Sequence, residues 1–133
     1  MIYWFTGQPG HGKTTLAKAL IAQLRRLGYA PHHIDGDDLR DITGNKDYTE
    51  EGRISNVQNA QSIVRYLHHK NEVVVVSLVA PFKNMREKLK SSVDVCEIYV
   101  YTNEIRGREE NHALNYEAPT ENLLEKVTRL SNR

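Results

Sequence analysis

One cysteine, Cys96, in 133 residues excludes an intrachain disulfide, and with it the small disulfide-stapled scaffolds. Charge of one sign is also lacking: 18 Lys and Arg against 17 Asp and Glu leave a formal +1. That balance gives no reason to expect a nucleic-acid partner. Long apolar runs are missing too. The longest, Val73–Val76 continuing through Leu78 to Pro81, falls far short of the roughly 20 residues of a membrane-spanning helix, so no membrane partner is expected. No basic stretch precedes the apolar residues at the start, which argues against a secretory signal. Repeats, linkers and low-complexity stretches are absent. What remains, 39% apolar and 26% charged residues, suits one globular domain over 1–133, expected in the cytoplasm.

Bulky residues from Met1 to Thr6 predict a buried strand that ends at Gly7. Thr14 to Leu27 carries Leu16, Leu20, Leu24 and Leu27 at helical spacing, with Gly28 placed to end the helix. Pro31 to Ile34 predicts a second strand, and Asp41 to Asp47 a loop. Thr49 is a candidate cap for a helix with Glu50 and Glu51 in its first turn and Ile54, Val57, Val64 and Leu67 as its apolar stripe. Val73 to Val79 reads as a central parallel strand covered on both faces. A short helix over Asn84–Lys90, a strand over Val95–Tyr101, an irregular stretch from Thr102 to Pro119 and a last helix marked by Leu123, Val127 and Leu130 complete the chain. Strand and helix alternate throughout. The expected fold is α/β, a three-layer domain with a parallel sheet and helices on both faces.

Gly7 to Thr14, Gly-Gln-Pro-Gly-His-Gly-Lys-Thr, fits the Walker A pattern GxxxxGK[ST], between a predicted strand and a predicted helix. This makes the expected domain a P-loop NTPase type. Backbone N–H groups around Gly7, Gly10 and Gly12 would converge on phosphate oxygens, and the start of the helix, with Lys13, Thr14 and Thr15, adds its partial positive charge. Lys13 would reach the β- and γ-phosphates, and the Thr14 hydroxyl would face Mg²⁺. At the end of the second strand, Asp35-Gly36-Asp37-Asp38-Leu39-Arg40 is either a turn rich in Asp and Gly or a carboxylate facing the P-loop, where open α/β sheets collect ligands. Tyr48-Thr49 follows, then Arg53 and Asn56 one helical turn apart, on a flank that turns away from the apolar stripe.

These stretches together resemble the adenylylsulfate (APS) kinase family: GQPGHGKTT, IDGDDLR, YTEEGRISN, SLVAPFKNMR and NYEAP stand in that order. In that family a P-loop kinase transfers the γ-phosphoryl of ATP to the 3′-hydroxyl of APS. The resemblance implies ATP and Mg²⁺ as cofactors and Lys13 and Asp35 as catalytic residues, with Asp35 near Mg²⁺ and the attacking hydroxyl. It implies that Asp37, Arg40, Arg53 and Asn56 hold the acceptor nucleotide. Tyr48 stands where the family has a Phe that stacks on the acceptor's adenine. Lys83 joins the expected acceptor set because it follows the third strand's carboxyl end. Arg106 or Arg108 would stack on the ATP base, with Pro119 of the NYEAP element beside it. A small-molecule acceptor is the expected partner, with a homodimer left open.

Two features depart from the family pattern, and a third departs only from the general Walker pattern. Ala80 replaces the Ser once proposed there as a phosphate carrier, which argues against a phosphoenzyme and leaves direct in-line transfer intact. The family's long lid is reduced to Glu104–Asn115, without its acceptor-covering Lys and Phe. The third strand lacks a terminal Walker B Asp, an absence the family shares. A sister 3′-kinase acting on another 5′-modified nucleotide, such as cytidine diphosphoramidate, is the nearest competing reading. A nucleotide-binding protein without turnover is the other. His11, His32-His33, His68-His69 and Cys96 carry no expected chemistry, and Lys83, Arg86, Lys88 and Lys90 form a basic helix whose usual place is solvent.

Overall fold

In the computed structural model, residues 1–102, 112–113 and 115–119 are described. The elements are β1 (Ile2–Thr6), α1 (Lys13–Arg26), β2 (His32–Asp35), α2 (Gly36–Thr43), α3 (Glu50–His69), β3 (Val74–Ser77), α4 (Lys83–Ser92) and β4 (Val95–Tyr99). All strand pairs are parallel, in the order β2-β3-β1-β4. β3 and β1 are therefore the inner strands, which explains their apolar runs. Period-two alternation splits the core. Ile2, Trp4, Val74 and Val76 face α3 and α4, whereas Tyr3, Phe5, Val75 and Cys96 face α1. Helices thus cover both faces, as expected. The predicted helix at Leu123–Leu130 lies outside the described residues.

Three expectations change. α1 does not bury the Leu16–Leu20–Leu24–Leu27 stripe; its buried residues are Lys13, Ala17, Ile21 and Leu24, and Leu16 and Leu27 are exposed. Small Ala17 lets the helix approach the sheet closely, and close packing outweighs the count of leucines. α1 ends as predicted: Tyr29 N–H reaches Leu24 O and Gly28 N–H reaches Arg25 O, a Schellman pair made possible by Gly28 at φ 94°. Residues 36–43, expected as turn and loop, form α2 instead. Asp35 caps it by accepting from Asp38 N–H, and Leu39 and Arg40 bury its inner side.

The third change concerns charged residues. Arg53 and Asn56 are buried on α3 although their flank turns away from the apolar stripe, and Arg86, expected in solvent with its basic helix, is buried on α4. Thr49 does cap α3, its hydroxyl accepting from Gly52 N–H. Arg86 lies 3.7 Å from Glu97 on β4, and Lys90 approaches the same carboxylate at 3.2 Å. Arg86 Nε makes no hydrogen bond, so with Glu97 it forms a close ion pair only. Burial opposes the Lys90 charge, but the two carboxylates, Glu97 foremost, hold its ammonium above the usual value.

Candidate active site

The carboxyl ends of β1, β2 and β3 open into one cleft of about 280 Å³. Its lining joins Gly10, Gly12, Lys13, Thr14 and Thr15 to Asp35, Asp37, Arg40, Tyr48, Arg53 and Asn56. Residues more than 40 positions apart in sequence therefore share one cavity, half loop and half side chains.

Gly7 passes the sheet edge so closely that a Cβ there would lie 2.1 Å from Val100 O, so any other residue would displace β4 or the loop. Gly12 then enters α1 at φ 96° with no side-chain cap and no acidic residue in the first turn. The N–H groups that open α1 and its partial positive charge thus meet no carboxylate of the helix itself, which suits an anion. Lys13 is buried, and its Nζ donates to Gln8 O at 2.8 Å.

Asp35 closes the other wall. Oδ1 accepts from Thr14 Oγ1 and from Ser77 Oγ, each at 2.8 Å, and Oδ2 accepts from Asp38 N–H. Burial pushes this carboxyl up, but the hydrogen bonds and nearby His33 outweigh it and hold it below the usual value. Burial lowers the His33 imidazole, against the pull of Asp35 and Asp38. The Thr14 hydrogen is parked on Asp35, so the hydroxyl's lone pairs can turn to a cation. A hydroxyl and an ionised carboxylate are the hard oxygen donors that Mg²⁺ takes alongside substrate phosphates. Among the described residues no group of three His, Cys, Asp or Glu forms a metal cage of its own.

In the other half of the cleft, Arg40 lies 4.1 Å over the Tyr48 ring and Arg53 5.6 Å from it. Arg40 Nη1 is braced by Asn45 Oδ1 at 3.0 Å and Asp47 O at 2.9 Å, and Arg53 Nε by Tyr48 O at 3.0 Å. Burial and the adjacent Arg40 charge both hold the Arg53 guanidinium below its ordinary value. Two like charges held together this way favour an anion between them. Asn56 Oδ1 is buried and meets no hydrogen-bond donor among the described residues.

The residue pattern and the fold now meet in one comparison: the profile of the family described as adenylylsulphate kinase matches residues 1–131. The chain belongs to this family. It is 34% identical over 100 residues to a probable adenylyl-sulfate kinase of Pyrococcus abyssi, covering 74% of this chain and 58% of that one. To the adenylyl-sulfate kinase of Clostridium kluyveri it is 30% identical over 103 residues, covering 75% and 52%. The chain therefore spans little more than half the length of these curated relatives. The Mycobacterium tuberculosis APS kinase, solved with AMPPNP and APS, superposes with a TM-score of 0.77 over 98% of this chain and 95% of that one, at 17% identity. That likeness concerns the fold.

Lys83 stands at the start of α4, outside the residues that line the cleft, with its main-chain N–H on Glu117 Oε1. Arg106 and Arg108 lie outside the described residues. Pro119 is described, two residues past Glu117, whose N–H donates to Pro81 O. Arg86 also donates to Glu117 O and Ala80 O, and Tyr116 shares a hydrogen with Thr6 Oγ1, so the Tyr116–Glu117 segment is tied to the core. Ala80 lines the cleft at φ 27° and offers no hydroxyl. Ser77 and His33 are the site's additions to the sequence reading. The one signal for Ser77 was a lone hydroxyl closing a run of valines.

Proposed function

We propose that the chain is an ATP-dependent phosphotransferase that moves the γ-phosphoryl group to the 3′-hydroxyl of adenylylsulfate. One observation carries this reading: a single cleft is lined by the phosphate loop, by Asp35 and by the Arg40–Tyr48–Arg53–Asn56 cluster. The acceptor oxygen bonds to the γ-phosphorus as the bond to the β–γ bridging oxygen breaks, and ADP leaves. Lys13 and the loop N–H groups bind the charge that spreads over the transferred group. Arg40 and Arg53 hold the acceptor's anionic end, and Tyr48 offers a ring to its base. Thr14 and Asp35 would hold Mg²⁺, which when bound neutralises phosphate charge. Asp35, held anionic and hydrogen-bonded on both oxygens, orients the hydroxyl; its lowered pKa makes it a weak proton acceptor, so the departing proton passes on to solvent.

Asn56 Oδ1 calls for an N–H or O–H on the acceptor. Adenine's amine supplies one. So do the cytosine amine and the phosphoramidate nitrogen of cytidine diphosphoramidate, which keeps a sister 3′-kinase as the second reading. The deciding experiment follows ADP release with Mg²⁺ and ATP against APS, cytidine diphosphoramidate, nucleoside monophosphates and sugars in parallel. Fastest turnover with APS supports the first reading, and with the cytidine compound the second. Preference for a sugar, or ADP release with none of them, refutes both.

A further inference from the structure

We propose that His33 is a positioning residue for Asp35: its ring donates from Nε2 to Ser77 Oγ, which commits the Ser77 proton to Asp35. Its kinetic consequence rests on the kinase reading above; the relay itself rests on hydrogen-bond geometry.

His33 Nε2 lies 2.8 Å from Ser77 Oγ, and Ser77 Oγ lies 2.8 Å from Asp35 Oδ1. An ionised carboxylate only accepts, so the bond to Asp35 consumes the single Ser77 proton. Toward His33 the hydroxyl then presents a lone pair. The ring nitrogen facing it must carry hydrogen, because otherwise two lone pairs would meet at hydrogen-bond distance. Strand register builds this chain. His33 and Asp35 are two residues apart on β2 and share a face, while Ser77 of β3 pairs directly with Asp35 and sits diagonal to His33. His33 does not line the cleft, and its hydrogen-bonded path to Asp35 runs through Ser77. Without the His33 donor the Ser77 hydroxyl still donates to Asp35, but the second bond that fixes its torsion is gone. The Asp35 carboxylate is then held less tightly on the β3 side.

Imidazole ¹⁵N NMR of the full chain, with His33→Gln used to assign the ring, reads the tautomer directly. A hydrogen on His33 Nε2, with ring shifts that move on Ser77→Ala, is expected. An Nε2 without hydrogen, or shifts that Ser77→Ala leaves in place, overturns the proposal. In steady-state assays His33→Ala should lower kcat roughly five- to tenfold, the worth of one hydrogen bond. KM for ATP and acceptor should stay within about twofold. His33→Gln, whose amide still offers an N–H, should recover most of the loss. An unchanged kcat in His33→Ala, or equal losses in both variants, also overturns it. A wild-type chain without turnover removes the kinase reading alone, since the NMR experiment still decides the relay.

Discussion

Lys13 Nζ and Gln8 O are joined by a 2.8 Å hydrogen bond, so the loop's lysine bridges back to its own second residue. A long flexible cation is thereby held in the extended loop at little further entropic cost when phosphates arrive. In the proposed reaction, phosphate oxygens compete with the Gln8 carbonyl for this ammonium. Charged acceptors win that competition, since charge-assisted bonds are about twice as strong.

Replacing Lys13 by Ala should therefore leave the fold intact and abolish phosphoryl transfer. A circular dichroism spectrum and urea midpoint near those of the wild type, with ADP release reduced at least about a hundredfold, is the expected result. Normal turnover in a folded variant would remove the phosphate-loop assignment.

Much of this architecture was legible in the residues. Thr49 followed by two glutamates marked the start of α3, and Gly28 marked the end of α1. The valine run marked an inner strand. What stayed hidden was tertiary. In α1, Ala17 and Ile21 are as apolar as Leu16 and Leu20, so periodicity alone could not say which stripe meets the sheet. α2 contains Gly36, Asp37, Asp38 and Asp41, poor helix formers, and depends on the Asp35 cap and the burial of Leu39. Arg86 read as solvated with the rest of its basic helix because its charge meets Glu97 only after folding. The Ser77–Asp35 pairing needs a strand register that no local pattern encodes.

Arg86→Met should destabilise the chain by about 3–5 kcal/mol, because it takes the buried Arg86 guanidinium away from the buried Glu97 carboxylate. The variant also frees Ala80 O and Glu117 O. Urea unfolding reads the loss as a lower midpoint at constant slope. Adding Glu97→Met should recover a large part of it, since the second change removes the stranded charge. A double variant as unstable as the sum of the single ones would show that the pair is not coupled.

Asp35 sets a pH dependence of stability. Its folded carboxyl lies below the usual value of about 4. The unfolded chain therefore binds the proton first, and the stabilisation from Asp35 is complete above about pH 4 and is lost as pH falls through the lower folded value. Asp35→Asn has no such titration. The wild type's advantage over this variant should shrink below about pH 4 in urea midpoints. An advantage undiminished in acid would mean that the carboxyl is not held down. At neutral pH, Asp35→Asn should also cut kcat by roughly 10- to 150-fold, the worth of a hydrogen bond to a charged group, with ATP affinity much less affected.

Arg53 tests the acceptor half of the cleft. It is buried, its charge stands beside that of Arg40, and one of its donors is spent on Tyr48 O. Arg53 lines the cleft together with Arg40, Tyr48 and Asn56. If it grips the acceptor's sulfate or phosphate, Arg53→Ala removes a charge-assisted bond worth about 1.5–3 kcal/mol. That corresponds to a rise in acceptor KM of roughly 10- to 150-fold, with KM for ATP nearly unchanged. Arg53→Lys keeps the charge but not the planar fork, so it should fall between the two. Titrating each substrate at saturating levels of the other separates the effects. Equal rises in both constants would place Arg53 in the general support of the cleft, and a rise for ATP alone would mean that the two ends of the site have been assigned the wrong way round.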